Sequence, residues 1–170
     1  GERFGKIAKG FKIATDIIDV EWGKAVSPSI IKEKLASGDY RAVCVQASET
    51  STAVEHPIKE IADLVKKYDN TVLIVDAITA LGVINLPSDE WGIDLMIGGS
   101  QKALMLPPGL ATLSVSEKAW KLVEKSDTPK FYFSLKSERK AIHANTTAWT
   151  PAVSIFVGLV QLLLVLIVYL

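Results

Sequence analysis

The sequence has a single cysteine, Cys44, so it cannot close an internal disulfide. It has two histidines, His56 and His143, and no Cys/His spacing suited to a metal, so no metal site is expected. It has no excess of either charge: 19 Lys and Arg balance 19 Asp and Glu. There is no basic stripe with interleaved aromatics, and nucleic-acid binding is not expected. A signal peptide and an initiator Met are both missing; the chain opens at Gly1-Glu2-Arg3-Phe4, as though cut from something longer. The lone thiol lies in the apolar run Ala42-Val43-Cys44-Val45 and reads as a buried structural cysteine in a reducing, cytoplasmic setting. Both histidines read as solvated. Trp22, Trp91, Trp120 and Phe131-Tyr132-Phe133 read as core or interface packing.

What is present is the material of one globular domain: 170 residues, 49% apolar and 22% charged. Apolar residues at 4, 7, 8 and 11 mark an amphipathic helix over Phe4 to Phe11. Ile13 to Val20 reads as a short strand. Ser27-Pro28 opens a helix, with Ser27 as N-cap and Pro28 in the first turn. Its buried stripe is Ile30, Ile31, Leu35 and Ala36, and Ser37-Gly38-Asp39 stops it. Arg41 to Ala47 is a β-branched run, read as a buried strand that ends in the polar loop Ser48 to Thr52. Pro57 starts a helix with Ile58, Ile61, Leu64 and Val65 on one face. Thr71 to Val75 is the clearest parallel-strand signal and ends at Asp76. A further strand runs up to Gly98-Gly99, and another spans Leu110 to Val115. Helices are expected from Ser116 to Ser126, over Phe131 to Ala141, and after Pro151.

Strands alternating with helices give the α/β class with a mostly parallel sheet, here expected as three layers, α/β/α. Ligands bind such sheets at the carboxyl ends of the strands. Three strand ends carry polar groups: Ser48 to Thr52, Asp76, and Ser100 to Lys102. An aspartate closing an apolar strand needs a cationic or hydrogen-bonding partner. A lysine just beyond a buried strand, set against an apolar wall, has reason to lose its proton and act as a nucleophile. Together, Asp76 and Lys102 suit pyridoxal phosphate: a lysine forms a Schiff base with the cofactor, and an aspartate pairs with its protonated pyridine nitrogen.

The words around these two residues resemble a known family. Val75-Asp76-Ala77-Ile78-Thr79-Ala80-Leu81-Gly82, Asp89-Glu90-Trp91-Gly92-Ile93-Asp94, Gly99-Ser100-Gln101-Lys102-Ala103-Leu104 and Pro107-Pro108-Gly109 are similar to class V aminotransferases of fold type I. The branch they most resemble is that of the alanine–glyoxylate and serine–pyruvate enzymes. The resemblance runs from Gly1 to about Gly158 and implies roles position by position. Lys102 matches the Schiff-base lysine and proton shuttle, and Asp76 the partner of the pyridine nitrogen. Ile78 matches the residue packed on one ring face, and Gln101 a ligand of the cofactor phosphate. Thr50 matches a hydroxyl near the cofactor's phenolic oxygen. Thr147, in Asn145-Thr146-Thr147, matches a threonine that reaches the neighbouring subunit's cofactor phosphate, which implies a homodimer. The implied reaction passes an amino group from alanine or serine to a 2-oxo acid, glyoxylate or pyruvate. Cysteine desulfurases share the pattern but carry histidines where this chain has Gln101 and Ile78; their reactive cysteine also sits on a mobile loop, whereas Cys44 lies within a strand.

The resemblance also implies missing parts. Residues 1–158 correspond to the central part of the cofactor-binding large domain. Its N-terminal part and the C-terminal small domain, which supplies the arginine for the substrate carboxylate, are not in this chain, so the fragment itself is expected to be inactive. Residues 159–170 form an atypical tail. From Ala152 to Leu170 there is no charge, which meets the rough length of a membrane span. A damaged or frameshifted end is the preferred reading, ahead of a buried interface helix and a membrane anchor flanked by Trp149 and Tyr169. The competing function is a non-catalytic α/β module, tethered to a membrane by this tail.

Overall fold

In the computed structural model, which describes residues 1–169, the chain is α/β with a mostly parallel sheet. After helix α1 (Glu2–Gly10) and α2 (Pro28–Ser37) come β1 (Ala42–Gln46), the short β2 (Ser48–Glu49) and β3 (Val54–Glu55), and α3 (Ile58–Val65). Then follow β4 (Val72–Asp76), α4 (Ser88–Trp91), β5 (Leu95–Gly99) and β6 (Ala111–Val115). The chain continues through α5 (Glu117–Lys125), α6 (Leu135–His143) and α7 (Val153–Tyr169). The main sheet has the order β1-β4-β5-β6. β1, β4 and β5 run parallel, and β6 returns antiparallel to β5.

Period-two alternation sets the two faces of this sheet. Val43 and Val45 pair with Leu73 and Val75, and Met96 pairs with Val75, all on one face. That face packs on Ile31 and Leu35 of α2 and on Ile58, Ile61, Ala62 and Val65 of α3. Leu73, Val75, Ile61 and Ala62 are fully buried. Burial of each large apolar side chain here is worth about 1.5–3 kcal/mol. The opposite face is partly open: Ala42 and Cys44 at one end and Leu113 at the other are exposed.

Cys44 is therefore exposed rather than a buried structural thiol, because strand parity turns it away from α2 and α3. Ile13 to Val20 is not a strand. Only Ile18 and Val20 reach the core, and Asp16 is drawn outward to the Lys34 ammonium at 3.1 Å and the Tyr40 hydroxyl at 2.5 Å. The Phe131 to Ala141 helix begins late, at Leu135, because Ser134 is its N-cap and accepts the Ser137 N–H at 3.3 Å. Phe131 and Phe133 are exposed, as is Trp22, so none of the three is core of this chain. In α2, Ile30 and Ala36 face solvent, leaving Ile31 and Leu35 as the buried pair. The cap at Ser27 forms as expected, its hydroxyl accepting the Ser29 N–H, and Ser116 caps α5 in the same way by accepting the Ala119 N–H. Among the described residues no helix is long and apolar enough to cross a membrane. The tail residue Leu170 lies outside the described residues.

Candidate active site

Because β1, β4 and β5 are parallel and in register, their carboxyl ends share one edge of the sheet. Gln46 lies beside Asp76, and Asp76 beside Ile97. The ladder continues one residue past the strands. Ala47 N–H donates to Asp76 C=O at 2.9 Å, and Ala77 N–H to Ile97 C=O at 2.8 Å. The loops bearing Thr50, Ile78 and Lys102 thus leave from adjacent strand ends.

Asp76 is half-buried, and its Oδ1 accepts the Ile78 N–H at 3.0 Å. This short turn fixes the carboxylate at the end of β4 and sets Ile78, also half-buried, two residues beyond it. Among the described residues Oδ2 accepts no side-chain or backbone hydrogen bond, so it remains for a second donor. Thr79 Oγ1 donates to Ser48 C=O at 3.3 Å and ties this loop to the one after β1. The polar loop Ser48 to Thr52 is not wholly irregular: β2 and β3 form a two-residue antiparallel ladder across it. Thr50 is exposed at its tip. There the Glu49 carboxylate accepts the Ser51 hydroxyl at 2.7 Å and the Ser51 N–H at 3.1 Å, which holds it below the ordinary glutamate value.

Gln101 and Lys102 are both exposed. The apolar wall expected beside Lys102 is not supplied by this chain, because the strand's burial ends at Ser100 and the backbone then turns outward. The turn is closed by Met105 N–H to Lys102 C=O at 2.9 Å. Helix α7 rests on the far side of the loop. A Cβ on Gly109 would come within 2.6 Å of Ile155 Cδ1, and one on Gly158 within 3.0 Å of Leu106 Cδ2. Gly109 also has φ +144, a backbone conformation open only to glycine at low cost. Gly109→Ala is expected to destabilise by about 1–3 kcal/mol, read as a lower urea midpoint with an unchanged m-value.

Thr147 is exposed in the loop after α6, and among the described residues no hydrogen bond joins it to the strand-end groups. That loop is anchored instead by Trp149, which stacks on Tyr132 at 4.9 Å and donates to its carbonyl at 3.1 Å. A role towards a neighbouring subunit would not require Thr147 to meet Asp76 within one chain.

Two polar residues that the sequence did not single out for a role are buried here. Asp94 is 4% exposed: Oδ2 accepts the Leu73 N–H at 2.9 Å and Oδ1 the Ser116 hydroxyl at 2.7 Å. Ser100 is 1% exposed and bonds only to the backbone of its own loop. The sequence signal for both is a polar residue bounding the apolar strand from Leu95 to Gly99; their partners are distant and could not be read.

His56 is not solvated as expected. It is half-buried, and its Nδ1 accepts the Val26 N–H at 3.1 Å. Burial, only partly opposed by the Glu49 carboxylate, lowers its pKa below the ordinary 6.5. The folded state thus favours neutral imidazole. This contribution is complete above about pH 6.5 and is lost as pH falls through the lowered folded value. Urea midpoints are expected to drop between pH 7.5 and pH 5, and His56→Gln, which keeps an acceptor but does not titrate, is expected to flatten part of that slope.

The family model for class V aminotransferases matches residues 6–166, reaching well into α7. An uncharacterized aminotransferase of Methanocaldococcus jannaschii is 43% identical over 158 residues, 91% of this chain and 41% of its own length. The small subunit of a soluble hydrogenase from a Synechococcus species is 40% identical over 162 residues, 94% of this chain and 42% of its own. A serine–glyoxylate aminotransferase of Arabidopsis thaliana is 29% identical over 156 residues, 89% and 39% of the two chains. Among solved structures, an alanine–glyoxylate aminotransferase from a Nostoc species superposes with a TM-score of 0.90 at 23% identity, over 96% of this chain and 44% of that one, a likeness of fold. The chain spans about two fifths of the length of the relatives it matches.

Proposed function

The chain belongs to the class V aminotransferase family, and we propose that the protein carrying it catalyses pyridoxal-phosphate-dependent amino transfer. The donor would be a small amino acid, alanine or serine, and the acceptor glyoxylate or pyruvate; the similarity to a serine–glyoxylate aminotransferase supports that choice. The observation that carries the reading is the shared edge of the sheet. A carboxylate with one oxygen to spare and an exposed lysine whose side chain makes no hydrogen bond among the described residues leave from adjacent parallel strand ends.

The residues present fit the cofactor. When bound, it supplies an electron sink for the charge left as the amino acid loses its α-proton. Asp76 would hold the ring nitrogen in its cationic form by charge pairing, and Ile78 would pack on the ring. Lys102 would hold the aldehyde carbon, then carry the proton in both half-reactions. Gln101 would bind the phosphate, Thr50 would reach the phenolic oxygen, and Thr147 would serve the site of a second copy in a homodimer. Residues 1–158 form the central part of the large domain in this reading. The start of α7 rests on the Lys102 loop, Ile155 against Gly109 and Gly158 against Leu106, and the 159–170 tail that continues this helix would serve as an interface helix. The rest of the large domain and a substrate-carboxylate arginine come from sequence beyond this chain, and the fragment alone would be inactive. A cytoplasmic location suits these substrates.

The test is to add pyridoxal phosphate to the full-length protein, reduce with borohydride and map the peptides. A single pyridoxyl adduct on Lys102 is the expected result. Adducts spread over several surface lysines, with none enriched at Lys102, would defeat the proposal. The same experiment on residues 1–170 shows how much of the site the fragment assembles by itself.

A further inference from the structure

We infer that Ser100 is the positioning residue for Lys102: its buried hydroxyl, together with α7, locks the loop 101–109 in place. This rests on the role proposed for Lys102. Ser100 bonds through every polar atom it has. Its N–H donates to Leu110 C=O at 3.1 Å, and its C=O accepts the Leu106 N–H at 3.0 Å. Its Oγ donates to Pro107 C=O at 2.7 Å and accepts the Leu110 N–H at 3.3 Å. Both ends of the loop are thus tied to one residue that is 1% exposed, two positions before Lys102.

The loop needs such a tie, because its own conformation is costly. Met105 sits at φ 51 and is 82% exposed, so no packing of its side chain supports this left-handed backbone. The Met105 N–H to Lys102 C=O bond depends on that conformation. If the Ser100 hydroxyl is removed, Pro107 C=O loses its donor and Leu110 N–H one acceptor, and the left-handed residue can relax. On the outer side the loop is held by α7, through Leu106 against Gly158 and Gly109 against Ile155. Lys102 itself makes no side-chain hydrogen bond among the described residues, so its amine is placed by its backbone alone. A lysine that must reach both a carbonyl carbon and an α-proton tolerates little displacement: about 1 Å of misplacement costs about 10²-fold in rate.

Two variants of the full-length protein approach the loop from opposite sides. Ser100→Ala removes the inner tie. Gly158→Val pushes Leu106 from outside, and α7 keeps its backbone conformation. Both are expected to lower kcat by about 10- to 100-fold with little change in KM, and to slow borohydride trapping at Lys102 in step, while circular dichroism stays unchanged. A purely structural role would lower the yield of folded protein and leave kcat per folded site intact. If Ser100→Ala does not fold, Gly158→Val decides. If folded variants keep kcat within about twofold, or if the loss falls on KM, the inference is wrong. If the unaltered protein itself traps nothing at Lys102, it is the proposed function that fails, and the two failures are thereby distinguished.

Discussion

Lys102→Ala in the full-length protein is expected to lower kcat by about 10²- to 10⁴-fold, the range set by losing a positioned general base. It should also remove the borohydride-fixed pyridoxyl adduct. Stability is expected to change by no more than about 0.5 kcal/mol, because the side chain is exposed and makes no side-chain hydrogen bond among the described residues. That split is informative. A lysine that merely decorates a surface turn would change neither quantity, and a packing residue would change both. Lys102→Arg sharpens the test. It keeps length and charge, but a guanidinium is not deprotonated in a protein. It is therefore expected to be as inactive as the alanine variant. An arginine variant with a tenth or more of the original kcat would mean that charge alone is at work, and would remove Lys102 from proton transfer.

The central strand β4 was legible because its residues are locally redundant. Thr71 to Val75 is apolar from Val72 on and β-branched at every position but Leu73, so burial on both faces and strand propensity agree. The cap at Ser27 was legible for the same reason: a serine ahead of a helical pattern acts within its own first turn. The misreadings of Ile13 to Val20, Cys44 and His56 each depended on a distant partner. Ile13 to Val20 has strand composition, but a strand is defined by a ladder, and Asp16 is taken by Lys34 and Tyr40 instead. Cys44 lies in a correctly read strand on the face that α2 and α3 do not cover. His56 is placed by the backbone of Val26, 30 residues earlier. Aspartate and lysine were picked out because both close apolar strands and stand in words that resemble the family, and parallel topology puts those strand ends side by side. The exposure of Lys102 could not be read, since it depends on which surfaces stand opposite the loop.

Asp94 has the largest expected effect on stability. Its carboxylate is buried and joins three elements. Oδ2 takes the N–H of Leu73 in β4, and Oδ1 takes the Ser116 hydroxyl that also caps α5 through the Ala119 N–H at 3.0 Å. Lys118, the second residue of that helix, brings its ammonium to 3.8 Å of Oδ2 while donating to Tyr68 C=O at 3.0 Å. Ser116 N–H donates to Asp94 C=O at 2.8 Å, so the backbone and the side chain of Asp94 both hold the start of α5. Asp94→Ala strands the Leu73 N–H in the core and takes the acceptor from the Ser116 hydroxyl, and losing these two hydrogen bonds to a buried carboxylate costs about 3–5 kcal/mol, at about 1.5–3 kcal/mol each. Asp94→Asn keeps one acceptor oxygen and the volume. It is expected to lose less, about 1–3 kcal/mol, the cost of one mispaired buried group. Ser116→Ala removes the cap and one donor, and is expected to fall at about 1–2 kcal/mol. Urea unfolding of the three variants gives the order Ala at 94, then Asn at 94, then Ala at 116. Combining Asp94→Ala with Ser116→Ala is expected to cost less than the sum, because the second change removes a partner already lost. Strict additivity would show that the two residues stabilise the fold independently, and would separate the cap of α5 from the strand ends that carry the site.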